Sequence, residues 1–132
     1  MKTNNRAVTI ATWVVAALLC LAFLGAGAAK LTAQQMMQQE FANFGYPLWF
    51  MFVTGIIEVV SAVLVIIPRT SRIGAGLLIC VMVGAILSHL THGQAAMIGV
   101  PVVLLVLAVV EFQLRGGFAT PLVPAARASS SP

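Results

Sequence analysis

Aspartate is absent from this chain of 132 residues, and its three carboxylates are Glu40, Glu58 and Glu111. Charged residues make up 8% of the composition against 61% hydrophobic, with a mean hydropathy of +1.05. A water-soluble globule carries a charged surface, with about 25% of its residues charged on average, so this composition excludes one. Cysteine is scarce as well: Cys20 and Cys80 form no CxxC motif. Counting from their helix ends puts them about 18 Å and about 11 Å deep, which leaves no disulfide and an expectation of two buried, inert packing thiols. Only His89 and His92 can serve as imidazole ligands. Three apart on a helix, they share a face, but with no further His and no nearby Cys neither a metal nor a haem is expected. The formal charge of +4 has no soluble basic surface behind it, so a nucleic-acid partner is excluded.

What the sequence has is long apolar runs. Residues 8–29, 47–67, 73–90 and 95–114 each approach or reach the roughly 20 residues that cross a hydrocarbon core, and helices satisfy every backbone group there. The expected fold is all-α: a polytopic membrane protein with a bundle of four transmembrane helices, one membrane domain over residues 1–114, and a disordered cytoplasmic tail over 115–132. A secretory signal competes for the first run, since Lys2 and Arg6 precede it and GAGAA follows. Its apolar stretch exceeds the roughly 7–15 residues of a signal core, which favours retention. Lys2, Arg6, Arg69, Arg72, Arg115 and Arg127 all fall inside if both termini are cytoplasmic, leaving Lys30 alone outside, so the basic residues orient the chain and meet lipid headgroups.

Glu58 stands near the centre of the second run. At 100° per residue it shares a side with Met51, Thr54, Gly55, Ser61, Ala62 and Val65, while Trp49, Phe52, Val53, Ile56, Val60, Val63, Leu64 and Ile67 form a bulky opposite side for lipid. Small residues let membrane helices approach, so the Glu58 side is expected to face the bundle, with Gly55 and Ser61 as packing positions. An acid at mid-membrane costs about 2.5–3.5 kcal/mol on insertion scales, so it needs a partner, a proton or water. By helical rise Glu58 lies about 16 Å and His89 about 5 Å below the outer surface, close enough to line one outward-opening cavity but not to bond directly. Lys30, at the outer end of the first helix, either reaches down to it or snorkels to the headgroups.

In the third run Gly74, Gly84, Ala85 and Ser88 form a small-residue stripe continuing to His92, with His89 beside it; Gly74 and Gly84 are read as packing positions. Glu111 and Arg115, spaced i, i+4, read as an interfacial ion pair. Pro101 is a candidate kink. The segment LTAQQMMQQEFANFGYP spaces Leu31, Met36 or Met37, Phe41 and Phe44 for a short surface helix, with Gln34, Gln35, Gln38, Gln39 and Glu40 toward water.

The order of AGAAKL, FANFGYPLWF, GIIEVVSAVLVIIP and RIGAGLLICVMVGAILSHLTHG, followed by a fourth apolar helix, resembles the DoxX-like family of small bacterial membrane proteins. The resemblance runs from about Ala7 to Leu114, and the positions that fit are Lys30, Gly45, Pro47, Gly55, Glu58, Pro68, Gly74, Gly84 and His89. Gln94 departs from a position that is often acidic in that family. The resemblance implies a four-helix bundle in the bacterial inner membrane and, through the family name, a link to quinone-coupled oxidation of sulfur compounds.

The leading functional expectation is an accessory or lipophile-binding subunit of a membrane redox system. A quinone is the candidate cofactor, Glu58, His89, Lys30 and His92 are the candidate ligand or proton-exchange residues, and the partners would be a membrane or periplasmic redox protein or a second copy of the chain. A non-catalytic scaffold, in which Glu58 pairs with a cation on a partner's helix, is the alternative. A small proton-coupled exporter ranks third, because its acid would be expected in the first helix and the charge bias opposes dual insertion.

Overall fold

The computed structural model describes residues 2–117, with side chains from residue 5 onward. The chain forms α1 (Lys2–Leu31), α2 (Gln35–Asn43), α3 (Leu48–Ile66), α4 (Ser71–Thr91) and α5 (Gly99–Leu114), with a single 3-10 turn at Ala95–Met97 before α5. There is no strand among the described residues. Most of the expected C-terminal tail, 118–132, lies outside them.

Four of the five helices stop in the same way. Ala33, Gly45, Gly93 and Gly116 adopt positive φ after α1, α2, α4 and α5. The next N–H then reaches back five residues: Gln34 to the Ala29 carbonyl at 3.0 Å, Tyr46 to Phe41 at 2.9 Å, Gln94 to His89 at 2.8 Å and Gly117 to Phe112 at 2.9 Å. Each bond uses a carbonyl that the helix itself leaves without a donor. α3 ends differently because Pro68 forces Ile67 into extended backbone, φ −90° and ψ 119°.

Helices α1 (over Asn5–Leu31), α3 and α4 are long and apolar enough to cross a membrane. The expected uninterrupted run over 95–114 is not one helix. α5 has 16 residues, about 24 Å, and the 3-10 turn and Ile98 precede it. Pro101 falls in its first turn, where a missing N–H costs no helical bond, so the expected kink has no cause there.

α3 packs between α1 and α4, and α5 closes the ring between α4 and α1. Glycines set the closest approaches. A Cβ on Gly27 would stand 2.9 Å from the Gly55 carbonyl oxygen, and one on Gly74 would stand 2.7 Å from the Val65 nitrogen and 2.8 Å from the Ser61 oxygen. α1 meets α3, and α3 meets α4, backbone to backbone, as small residues allow in membrane bundles. The core consists of Ala16, Leu19, Phe23, Ala62, Val65, Ala75, Leu78, Met82, Ala108 and Phe112.

The buried residues of α3 are Met51, Gly55, Glu58, Ser61, Ala62 and Val65. The opposite side, with Trp49, Val53, Ile56, Val60 and Val63, is exposed, as a lipid-facing surface would be. Gly84 does not pack: a Cβ there would meet nothing within 4 Å. The thiols also differ from expectation. Both are free, but Cys80 is exposed and Cys20 half-buried, because the side of α4 carrying Cys80 looks into open space rather than onto a neighbouring helix.

Candidate functional site

At the α2 end the helices separate around a cavity of about 860 Å³, within the roughly 300–1,000 Å³ usual for small-molecule sites. All five helices line it. Its wall is mostly apolar, with Phe23, Phe41, Phe50, Ile57, Leu77 and Leu104 among its members, and the charged or titratable groups on it include Lys30, Glu40, Glu58 and His89.

Glu58 is 2% exposed, and its partner is Lys30. The ammonium donates to both carboxylate oxygens, at 3.0 and 3.2 Å. Of the two courses open to Lys30 in the sequence, the chain takes the downward one. Its place in the last turn of α1 also sets the cation at the negative end of that helix. The pair satisfies the buried acid from within the chain and leaves both groups on the cavity wall.

Glu40 is the residue the sequence misassigned. Expected to face water with the glutamines around it, it turns inward from α2, lines the cavity, and stands 3.4 Å from Nε2 of His89. The helix is anchored by Phe41 and Phe44, both buried, whereas Met36 is 73% exposed. Glu40 is next to Phe41 in sequence and so is carried toward the cavity with it.

His89 is 6% exposed. Its Nδ1 lies 3.0 Å from Oε1 of Gln94, and the Phe44 ring meets its edge at 5.0 Å between centroids. If Gln94 accepts through Oε1, Nδ1–H is the donor; with the amide turned over, the neutral ring carries its hydrogen on Nε2, the nitrogen that stands 3.4 Å from Glu40. Gln94 thus orients His89 without contributing charge.

His92 stands apart from this role. It is exposed at the C-cap of α4, with Nδ1 2.8 Å from the Ser88 carbonyl and 3.2 Å from the Thr91 hydroxyl. Among the described residues no three of His, Cys, Asp and Glu cluster as a metal would require. One element went unforeseen: Tyr46 O–H donates to Ser88 Oγ at 2.8 Å, which in turn donates to the Gly84 carbonyl at 2.9 Å. This ties the α2–α3 connection to α4, and the only signal for it was a lone tyrosine in an apolar turn.

A second polar cluster closes the opposite end. Glu111 is fully buried and accepts from Ser71 Oγ and from Arg115 Nε, both at 3.0 Å. Arg115 lies over the Trp13 ring, 5.6 Å from its centroid, and Arg72 donates to the Gly117 carbonyl at 2.9 Å. The i, i+4 pair forms as expected, with its carboxylate buried within the bundle.

Three helices long and apolar enough to span a bilayer, a fourth apolar helix, and a buried ion pair on the wall of an internal cavity describe a membrane protein. The model of the DoxX-like family matches residues 14–111, and the chain belongs to that family. A relative, the uncharacterized protein YdgD of Bacillus subtilis (strain 168), is 34% identical over 84 residues, which is 61% of this chain and 74% of that protein. No solved structure matches.

Proposed function

We propose that the chain crosses the bacterial inner membrane four times, with both termini cytoplasmic, and holds a lipophilic molecule in the cavity as an accessory subunit of a membrane redox system. A quinone is the first candidate ligand. The observation that carries this reading is the cavity itself, where a largely apolar wall converges on the Lys30–Glu58 and Glu40–His89 pairs. Apolar volume with a few placed polar groups is the usual form of a small-molecule site. The distribution of Lys and Arg supports the orientation. At 16 residues α5 is short for a full span, and local thinning of the bilayer or snorkelling of its flanking residues accommodates such a helix.

In this reading Lys30 and Glu58 offer the ligand head a donor and an acceptor, His89 offers a ring nitrogen beside Glu40, and α2 covers the chamber. The scaffold alternative needed a partner's cation for Glu58, and Lys30 supplies one within the chain. The test is quinone binding and quinone reduction by Glu58→Gln and Glu58→Ala. Loss of binding in both is expected, and unchanged behaviour in both would overturn the reading.

A further inference from the structure

The cavity is not closed toward the side of the bundle. Leu64, Ser61, Ile57, Thr54, Val53 and Phe50 follow one strip of α3, the strip turned toward α4. At one end of it, Leu64 and Ser61 pack onto Gly74, whose missing side chain lets the two backbones touch. About three turns further along α4, a Cβ on Gly84 would meet nothing within 4 Å, and there Val81, Gly84 and Ala85 of α4 and Phe50, Val53 and Thr54 of α3 line the cavity, so the helices have parted. On the parted stretch the lining residues are exposed: Val53 at 41%, Ile57 at 37% and Leu77 at 38%, with Cys80 and Gly84 also open. These are apolar residues on the sides of helices that would be at membrane depth, so the opening faces hydrocarbon rather than water.

The polar end of the chamber carries no excess of positive charge. Lys30 contributes one positive charge, and Glu40 and Glu58 one negative charge each. The wall is therefore net negative with His89 neutral and uncharged with His89 protonated. In neither state does it carry an excess of positive charge for an anion, and two of the three N–H bonds of the ammonium are already directed to Glu58. A carboxylate or phosphate head would leave water to meet a carboxylate wall, which costs desolvation without a compensating ion pair.

From this gap and this charge balance we propose that the chamber takes a single-chain amphiphile from the bilayer, sideways between α3 and α4, with an uncharged or cationic head rather than an anionic one. The head lies among Lys30, Glu58, Glu40 and His89, and the chain runs out past Ile57 and Cys80. The proposal rests on the lipophile-binding reading above and narrows it to a class of head and a route.

Cys80 reports occupancy, because it lines the gap and is exposed. The full chain carrying Cys20→Ala, in vesicles of zwitterionic lipid, is alkylated with N-ethylmaleimide in the presence of hexadecanol, hexadecylamine or palmitate, which share a chain and differ in head. Hexadecanol and hexadecylamine should slow alkylation of Cys80 about tenfold, and palmitate less than twofold. Glu40→Gln, which removes one negative charge from a half-exposed side chain, should raise protection by palmitate relative to protection by hexadecanol in the same variant. Equal or better protection by palmitate in the unaltered cavity overturns the charge argument and leaves lipophile binding standing. Absence of protection by any of the three overturns both. Gly84→Leu, for which the backbone leaves room, narrows the gap; protection by hexadecanol relative to the variant's own unliganded rate should fall away, and its persistence overturns the lateral route.

Discussion

The Cβ of Lys30 lies 3.0 Å from the point where a Cβ on Gly55 would stand, so the lysine stem crosses a glycine on its way to Glu58. Gly55 and Glu58 are one turn apart on α3, and Gly27, one turn before Lys30 on α1, faces the same crossing. The contact that brings the two backbones together is thus also what brings the ammonium within 3.0 Å of the acid. Packing and electrostatics here are one arrangement.

Gly27→Ala should therefore disturb more than packing. Its methyl would meet the Gly55 carbonyl at 2.9 Å and Val59 Cγ2 at 2.6 Å, and the backbone cannot yield without separating α1 from α3. Overpacking of this kind costs about 1–3 kcal/mol. Gly25→Ala, with nothing within 4 Å, should instead gain about 0.5–1 kcal/mol of helix stability. Thermal unfolding in mild detergent measures both, and equal effects of the two would contradict the crossing as described.

Removing one member of the buried pair should be worse than removing both. Lys30→Met leaves Glu58 buried without its cation, which costs about 3–5 kcal/mol in comparable settings. Glu58→Met should cost less, because Lys30 is 11% exposed and its stem is long enough to turn toward the surface. The double variant Lys30→Met/Glu58→Met should recover most of the loss. A double-mutant cycle on unfolding free energies reads the coupling, and strict additivity would mean that the pair does not interact.

How much of this could be read beforehand depended on whether a signal was periodic or positional. The inward side of α3 was legible because its members recur at helical spacing and most are smaller or more polar than the opposite side; Met51, Gly55, Glu58, Ser61, Ala62 and Val65 are buried together. The short α2 was legible for the same reason, through Phe41 and Phe44. What periodicity does not encode is which way a long side chain turns. Lys30 had two courses of similar cost, and only the gap left by Gly55 selects one. Glu40 was hidden by four neighbouring glutamines, since a polar run reads as a solvated face unless one member has a partner, and His89 lies 49 positions away in sequence. Gly84 shows that a glycine stripe marks space without saying whether a helix fills it.

The cluster at the far end of the bundle predicts an asymmetry between its members. Ser71→Ala deletes one of the two hydrogen bonds to Glu111 and leaves the ion pair, so it should cost about 1–3 kcal/mol. Arg115→Leu removes the one charge partner found among the described residues for a fully buried carboxylate and should cost more, about 3–5 kcal/mol. Urea or heat unfolding of the two variants gives the order. A larger loss from Ser71→Ala would mean that the hydroxyl rather than the guanidinium holds Glu111 in place.

Ala33 gives the sharpest test of the helix ends, because it occupies the position that Gly45, Gly93 and Gly116 fill at the other three. Its φ of 52° lies in the left-handed region, and the Gln34 N–H that closes the end of α1 on the Ala29 carbonyl at 3.0 Å depends on it. A residue with a Cβ gives up about 1–2 kcal/mol there, and glycine gives up none. The unfolded chain gains freedom with glycine, worth about 0.4–1 kcal/mol in the opposite sense. The difference favours Ala33→Gly by about 0.5 kcal/mol, a rise in melting temperature of a few degrees at this chain length. Ala33→Val, which is β-branched and disfavoured at positive φ, should move it the other way by more. A melting temperature that falls with glycine would mean that α1 does not end in this conformation. The placement of Lys30 three residues earlier, and with it the pairing of Glu58, would then need a different explanation.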